Sequence, residues 1–373
     1  MVGGATVMTL SASIRARLSP DFMLDVDFSA APGMTMVFGE SGSGKTTMLR
    51  CLAGLRRPDS GQMAIGDRVL FDADRNVDVS VRHRRVGYVF QHLALFPHMT
   101  VEQNLRYGLA HLDLPTRRGR TESVAESFRI AHLLGRKPGE ISGGERQRTA
   151  LARSLVTDPS LLLLDEPLSA LDHVSQSRII EDLRAWNAAR GIPILYVTHS
   201  HREVFALGEQ VIVLQDGKIL AEGRPQEVLE APAIESLAQL AGFENFFDAT
   251  VTSLRPDSGT MHCRIAEGHP GLEVPLARLE PGADLRIAVR AGDILLSTEE
   301  PRALSARNVF PGMIASIQRE GATMVLIVHA GCPFEVHLTP GACEALQLTP
   351  GRRVWLVIKT HSCRIVSKRQ PPP

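Results

Sequence analysis

Apolar and polar positions alternate over Val7 to Ala16 and again over Leu24 to Phe28, then close into the unbroken run Met34-Thr35-Met36-Val37-Phe38. Alternation with period two marks half-buried strands, and a short continuous run marks a strand buried on both faces. At Met48-Leu49-Arg50-Cys51-Leu52-Ala53-Gly54-Leu55 the spacing changes to that of a helix. A turn at Arg57 to Gly61 leads into a hairpin over Gln62 to Phe71, with Gly66-Asp67 at its tip. Arg85 to Gln91 reads as another short buried strand, ending in an amide. From His92 to Glu140 the spacing is helical at Val101 to Leu112 and Glu122 to Leu134, with Gly, Pro and Arg breaks between them. This stretch reads as a small helical insertion, and a long helix follows at Glu145 to Val156.

The four leucines Leu161 to Leu164 and the acidic pair Asp165-Glu166 form a buried strand with a charged end. A helix at Val174 to Ala189, a strand at Pro193 to Thr198, a helix at His201 to Leu207 and strands at Gln210 to Leu214 and Lys218 to Ala221 follow. Strands alternating with helices predict a mainly parallel core sheet. Helical spacing at Pro225 to Leu240 then gives way to short strands at 248–254, 260–265, 284–289, 293–297, 312–319, 323–329, 333–339 and 353–359, punctuated by Gly and Pro. That spacing predicts an all-β, barrel-like module, with a disordered tail at Arg369 to Pro373.

The junction of the first buried strand with the first helix carries the chemistry. Gly39-Glu40-Ser41-Gly42-Ser43-Gly44-Lys45-Thr46-Thr47 fits G-x-x-x-x-G-K-[ST] in the strand–turn–helix context that the motif requires. Its glycines let successive backbone N–H groups converge on a phosphate, and the helix start adds its unpaired N–H groups and positive dipole end. Lys45 can reach β- and γ-phosphates, and the Thr46 hydroxyl can ligate Mg²⁺. Asp165 and Glu166 lie at the sheet's carboxyl edge, where α/β proteins bind ligands. There Asp165 would hold Mg²⁺ and Glu166 would polarise an attacking water. His199 ends the next strand at the same edge, within reach of a γ-phosphate or the water, and Gln91 offers an amide to Mg²⁺ and the water. Ser142-Gly143-Gly144-Glu145 opens a helix and forms a second anion site. One nucleotide needs one phosphate loop, so this redundancy points to a homodimer in which each chain lends Ser-Gly-Gly to its partner's nucleotide.

Composition narrows the classes. With 373 residues the chain is long enough for two or three cores. Lys+Arg and Asp+Glu both number 41 and aromatics are 5%, which argues against a nucleic-acid partner. The five cysteines, Cys51, Cys263, Cys332, Cys343 and Cys363, show no C-x-x-C spacing, so neither a disulfide framework nor a zinc site is expected. That usage fits a reducing compartment. Met1 to Leu10 lacks the form of a signal peptide, and no apolar run approaches the length of a membrane span.

Taken together, these residues resemble the ATP-binding subunits of ABC transporters. Gly39 to Thr47 is similar to the Walker A loop, Gln91 to the Q-loop, Ile141 to Gln147 to the signature, and Leu161 to Glu166 to Walker B. Ser169-Ala170-Leu171-Asp172 is similar to the D-loop and His199 to the switch histidine. The signature departs from the usual pattern at Ile141 and Glu145, and Phe22 is the nearest aromatic for stacking adenine. Ser305-Ala306-Arg307-Asn308-Val309-Phe310-Pro311-Gly312, with Leu348-Thr349-Pro350-Gly351 beyond it, resembles the molybdate-binding Mop/TOBE domain. Arg85 to Gln91 through Leu95-Phe96-Pro97-His98 resembles the ATPase of molybdate importers.

The resemblance implies an α/β P-loop NTPase core with an antiparallel β subdomain and a helical subdomain at about 92–157, within a domain of residues 1–235. A linker at 236–246 and an OB-like all-β barrel module at 247–373, with its Mop-like part at 303–367, would follow. It further implies a motor that hydrolyses MgATP as a homodimer on the cytoplasmic face of the cell membrane. Two membrane-spanning permease subunits and an extracellular or periplasmic molybdate-binding protein would complete the importer. Leu93, Leu95, Phe96 and Met99, beside Gln91, are the expected seat of a permease helix, with the core of the helical insertion as the other reading. Ser305, Arg307 and Asn308 are the expected oxyanion ligands, with molybdate as a regulatory ligand. Importers of sulfate, thiosulfate or tungstate, and a cytosolic molybdate sensor or store, are the alternatives. A DNA-repair ATPase with the same head would need long coiled-coil arms between Gln91 and Ser142, and no heptads lie there.

Overall fold

The computed structural model describes residues 8–168, 171, 173–230, 232–265 and 271–367, in two compact units, Met1–Pro225 and Gln226–Pro373. The expected disordered tail lies outside the described residues, as do Ser169, Ala170 and Asp172 of the D-loop resemblance.

The first unit is built on one eleven-stranded sheet. Its strands are β1 (Leu10–Ser19), β2 (Phe22–Ala30), β3 (Gly33–Phe38), β4 (Ser60–Ile65), β5 (Arg68–Asp72), β6 (Val77–Asp78), β7 (Val86–Val89), β8 (Leu161–Asp165), β9 (Pro193–Thr198), β10 (Gln210–Gln215) and β11 (Lys218–Gly223). Their order is β6-β5-β4-β1-β2-β11-β10-β3-β9-β8-β7. From β10 to β7 all neighbours are parallel, while β6 to β2 form an antiparallel wing. The parallel strands β8 and β9 are buried at every position, which is why their sequences read as continuous apolar runs. The register sets Phe38 beside Thr198 and Asp165 beside Val197, so the carboxyl ends of β3, β8 and β9 finish level.

Six helices belong to this unit among the described residues: α1 (Lys45–Ala53), α2 (Val101–Arg106), α3 (Leu114–Ser127), α4 (Gly143–Leu155), α5 (His173–Ala188) and α6 (His201–Leu207). The insertion departs from its expected frame. Val101 to Leu112 is a six-residue helix that tightens into a 3₁₀ turn at Tyr107–Leu109. The next helix starts at Leu114, inside the stretch read as a break. Asp113 caps it by accepting from the Thr116 N–H at 2.7 Å, and Pro115 occupies its first turn, where a missing N–H costs nothing. It stops at Ser127, because Arg129 turns left-handed (φ 56°).

Helix α1 is held at its far end. Gly54 closes it in the left-handed conformation, and the buried Arg84 guanidinium donates to the Cys51 and Leu52 carbonyls at 2.9 Å each. Arg84 also donates to Asp78 Oδ1 at 2.8 Å, so its buried charge is paired. Two carbonyls of the helix's last turn are thereby answered by a side chain from thirty-odd residues away, the Cys51 one shared with the Gly54 N–H.

In the second unit the helical stretch expected at Pro225 to Leu240 is broken into a π-turn at Gln226–Glu230 and α7 (Glu235–Leu240). The strands are β12 (Asn245–Arg255), β13 (Thr260–Arg264), β14 (Leu272–Pro275), β15 (Asp284–Val289), β16 (Leu295–Ser297), β17 (Asn308–Glu320), β18 (Thr323–His329), β19 (Pro333–Leu338), β20 (Arg353–Ile358) and β21 (Cys363–Val366), with α8 (Pro340–Ala345) between β19 and β20. They make two antiparallel five-stranded sheets, β14-β13-β12-β15-β21 and β16-β20-β17-β18-β19, around one apolar core that includes Phe247, Phe310 and Phe334. Strands β14 and β21, of four residues each, and α8 were not legible from spacing.

Candidate active site

Strand β3 delivers the chain into the glycine-rich turn. A side chain at residue 39 would stand 2.1 Å from the Leu214 carbonyl oxygen, and Gly44 turns left-handed (φ 106°) to start α1, so glycine is required at both. No side chain caps α1 and no acidic residue occupies its first turn. Its first N–H groups are left for an anion, with the positive dipole end behind them. Ser43 Oγ is buried in this turn without a hydrogen-bond partner, a cradle that a phosphate oxygen fits. Lys45 Nζ donates to the Gly39 and Glu40 carbonyls at 2.8 and 2.6 Å. Burial pulls the Lys45 pKa below its ordinary value, and Glu166, Asp165 and Glu40 oppose that shift, so the cation sits among three carboxylates.

The parallel register brings the second half of the site to this loop. Asp165 is buried at the end of β8 and accepts from Thr46 Oγ1 at 3.0 Å. Glu166, one residue on, is in the left-handed region (φ 47°), a strained conformation for a side chain of its size, and its N–H donates to the Val197 carbonyl. Both of its carboxylate oxygens are addressed: His199 Nδ1 lies 3.2 Å from Oε1, and Gln91 Nε2 lies 3.4 Å from Oε2. The three residues assigned to catalysis from sequence therefore meet at one point. Gln91 does not end a strand, however. β7 stops at Val89, and Gln91 sits in the turn beyond it, followed by left-handed Leu93 and Ala94 whose carbonyls accept from Arg153 of α4. Leu93, Leu95, Phe96 and Met99 are half-buried, and the Phe96 ring packs on Tyr107 at 4.5 Å and under the Arg153 guanidinium at 5.3 Å.

A cavity of about 640 Å³ joins these parts. Glu40, Ser41, Gly42, Gly44, Lys45, Thr46 and Thr47 line one side, and Gln91, Glu166 and His199 the other. Leu18 at the end of β1 and Phe22 at the start of β2 complete it, so the aromatic ring singled out for adenine stands at this cavity. Among the described residues no group of three or more His, Cys, Asp or Glu could hold a metal ion. A cation at Thr46 and Asp165 would take its remaining ligands from phosphate and water, as Mg²⁺ does.

Ser142, Gly143, Gly144 and Glu145 do not line this cavity. Ser142 caps α4 and exchanges bonds with Glu145: the Ser142 N–H and Oγ donate to Glu145 Oε2 at 2.7 and 2.8 Å. These bonds, the backbone one first, hold the Glu145 carboxyl below its ordinary range. Glu145 is thus a capping-box residue.

The second unit holds a polar cavity of about 610 Å³ lined in part by Ser305, Arg307, Lys359, Thr360 and His361, and by Arg255, which is paired with the Glu273 carboxylate at 3.1 Å in the same lining. Thr260 Oγ1 is buried at its wall without a hydrogen-bond partner. Asn308 is not part of it. Its side chain is buried, donates to the Glu273 carbonyl at 2.9 Å and accepts from the Glu273 N–H at 2.6 Å, so its amide ties β17 to β14. Arg255, Lys359 and Thr360 went unnoticed in the sequence; the only local signal was Lys359-Thr360-His361-Ser362 between two short strands.

A glycine-rich strand–turn–helix loop, a buried carboxylate bonded to the loop's threonine and a Gln–Glu–His cluster on one parallel edge, flanked by an antiparallel wing and a helical insertion, define a P-loop ATPase cassette. The model of the ABC transporter family matches residues 23–169, and the TOBE domain matches residues 304–365. The molybdenum import ATP-binding protein ModC of Rhizobium etli is 39% identical over 363 residues, covering 95% of this chain and 99% of that protein. The protein of the same name from Paramagnetospirillum magneticum and the molybdenum import ATP-binding protein ModC 1 of Azotobacter vinelandii are 37% and 36% identical, covering 92% and 93% of this chain. Among solved structures, a dimeric bacterial ABC transporter cassette is 27% identical with a TM-score of 0.51, covering 58% of this chain and 99% of that one. A post-hydrolysis dimer of that cassette bound to ADP and Pi has a TM-score of 0.50. The chain belongs to the ABC transporter family of ATP-binding proteins and, within it, to the molybdenum import ATP-binding proteins.

Proposed function

We propose that this chain is the ATP-hydrolysing motor of a molybdate importer, working as a homodimer on the cytoplasmic face of the membrane against two permease subunits. No helix among the described residues is long and apolar enough to cross a membrane, so in this reading the permease holds the motor in place. A separate molybdate-binding protein delivers the cargo. The observation that carries the reading is the convergence of Gln91, Glu166 and His199 beside the phosphate loop, in a chain related over nearly its whole length to molybdenum import proteins.

In this reading Lys45, Ser43 and the turn N–H groups hold the phosphates, and Thr46, Asp165 and the Gln91 amide face Mg²⁺. Held by Thr46 and Asp165, a bound Mg²⁺ would supply neutralisation of the charge that develops on the phosphates. Glu166 takes the proton of the attacking water, and His199 orients Glu166 and reaches toward the γ-phosphate. Phe22 stacks on adenine. Ser142, Gly143, Gly144 and Glu145 face the partner chain's nucleotide. The half-buried group around Phe96, next to Gln91, is where a permease helix would feel the state of the site. Uptake of radiolabelled molybdate by cells with and without the gene tests the reading. Uptake that depends on the gene is expected, and gene-independent molybdate uptake with gene-dependent sulfate uptake would replace molybdate by sulfate as cargo.

The second cavity is the regulatory oxyanion site of this reading, with Ser305, Arg307, Lys359 and Thr360 as donors in place of the triad that included Asn308. A tetrahedral dianion needs several convergent N–H and O–H donors and shielding from water. Calorimetry on the full-length chain is expected to give molybdate binding that weakens at least tenfold in Arg307→Ala, with a smaller rise of Tm at a given ligand concentration than in the parent protein. Equal heats from both proteins would remove Arg307 from the site.

A further inference from the structure

Each oxygen of the buried Asp165 carboxylate has its own donor. Oδ1 accepts from Thr46 Oγ1 and Oδ2 accepts from Tyr88 OH, both at 3.0 Å. Thr46 lies on α1 and Tyr88 on β7, so three elements meet at one carboxylate. Tyr88 is itself held. Its ring packs on Phe90 at 4.3 Å between centroids, and its side chain packs against the main core. The parallel register places Tyr88 opposite Leu163, two residues before Asp165 on the neighbouring strand.

A carboxylate can rotate about its last bond, and a Mg²⁺ site demands near-octahedral placement of its few protein oxygens. While Thr46 donates its hydroxyl hydrogen to Oδ1, its lone pairs are left free to face a cation. That arrangement persists only if the carboxylate plane is fixed, and a second donor on Oδ2 fixes it. Partners behind a metal ligand set its orientation in this way. We propose that Tyr88 is a positioning residue for the cation half of the site: its hydroxyl locks Asp165, so that Asp165 and Thr46 present their oxygens together to a divalent cation. This rests on the reading of Thr46 and Asp165 as the cation-binding pair. It gives a residue three positions before Gln91 a task that neither the loop nor the signature assigns.

The test reads binding rather than turnover. Affinity of the full-length chain for a fluorescent methylanthraniloyl-ATP is measured in EDTA and across a Mg²⁺ titration, for the parent, Tyr88→Phe and Asp165→Asn. Phenylalanine keeps the ring stack and removes only the hydroxyl. Affinity in EDTA is expected to match the parent in Tyr88→Phe, while the Mg²⁺ midpoint rises about tenfold. A midpoint within about twofold of the parent would reduce Tyr88 to packing and overturn the proposal. Affinity lost equally in EDTA and Mg²⁺ would overturn it too, because that is the mark of a distorted loop. Asp165→Asn separates this from the underlying reading: a Mg²⁺ effect that survives it refutes the cation-binding pair itself, whereas its loss there with a normal Tyr88→Phe refutes Tyr88 alone.

Discussion

Glu166→Gln is expected to lower ATP turnover by about 10²-fold or more while leaving nucleotide binding close to that of the parent. The side chain's setting makes this a sharp substitution. Glu166 is carried in a left-handed backbone conformation by its N–H bond to Val197, and glutamine at that position keeps the backbone, the length and a hydrogen bond to His199. The negative charge beside Lys45, and with it the ability to take a proton, is lost. Lys45 and the phosphate loop, which bind the phosphates in the proposed reading, are untouched. Bound ATP should therefore accumulate, and with it a stable dimer visible by size-exclusion chromatography with light scattering. Turnover near the parent rate would remove Glu166 as the base and pass that role to another group.

The second large effect concerns two chains. Lys45→Ala is expected to weaken nucleotide binding by about 10²-fold or more, since charge-assisted bonds to phosphate contribute roughly 1.5–3 kcal/mol each and 1.4 kcal/mol is a factor of ten. Ser142→Arg should leave binding intact but block hydrolysis and dimerisation, because Ser142 and its neighbours do not line their own chain's cavity and a bulky cation would sit where a partner's nucleotide must approach. Mixed, the two variants should recover part of the activity: one of the two composite sites then has an intact loop from one chain and an intact Ser142 from the other. Mixed dimers demonstrated by differential tagging yet wholly inactive would count against a site shared between chains.

Much of this arrangement was legible because it is local. A strand, a glycine-rich turn and Lys-Thr at a helix start specify a phosphate cradle within a dozen residues, since the N–H groups and the left-handed turns involved are all near neighbours. β9 and α6 match their expected bounds for the same reason: an unbroken apolar run bounded by a polar end, and Ser200 capping the helix by accepting from the Glu203 N–H. The helical insertion was misframed where two local signals compete. Pro115 reads as a break when counted as a residue and as a start when its neighbour Asp113 is seen to cap. Asn308 was misread for a different reason. A buried amide can serve a ligand or a neighbouring backbone, and only the position of β14, four residues long, shows that it serves Glu273.

The sequence by itself determined the phosphate chemistry, the alternation that makes a parallel sheet, and the carboxylates at that sheet's edge. The tertiary structure alone decided who meets whom there. Gln91 and His199 reach Glu166 across 75 and 33 residues of chain, and Tyr88 reaches Asp165 across 77. The order β3-β9-β8-β7 brings them together, and strand order is set by how crossover helices pack on both faces rather than by any one strand's pattern. Local spacing constrains dihedral angles and hydrogen bonds a few residues away. The distance between side chains on different strands follows from register and burial over the whole sheet, so the partners of Asp165 and Glu166 could be seen only once the chain was folded.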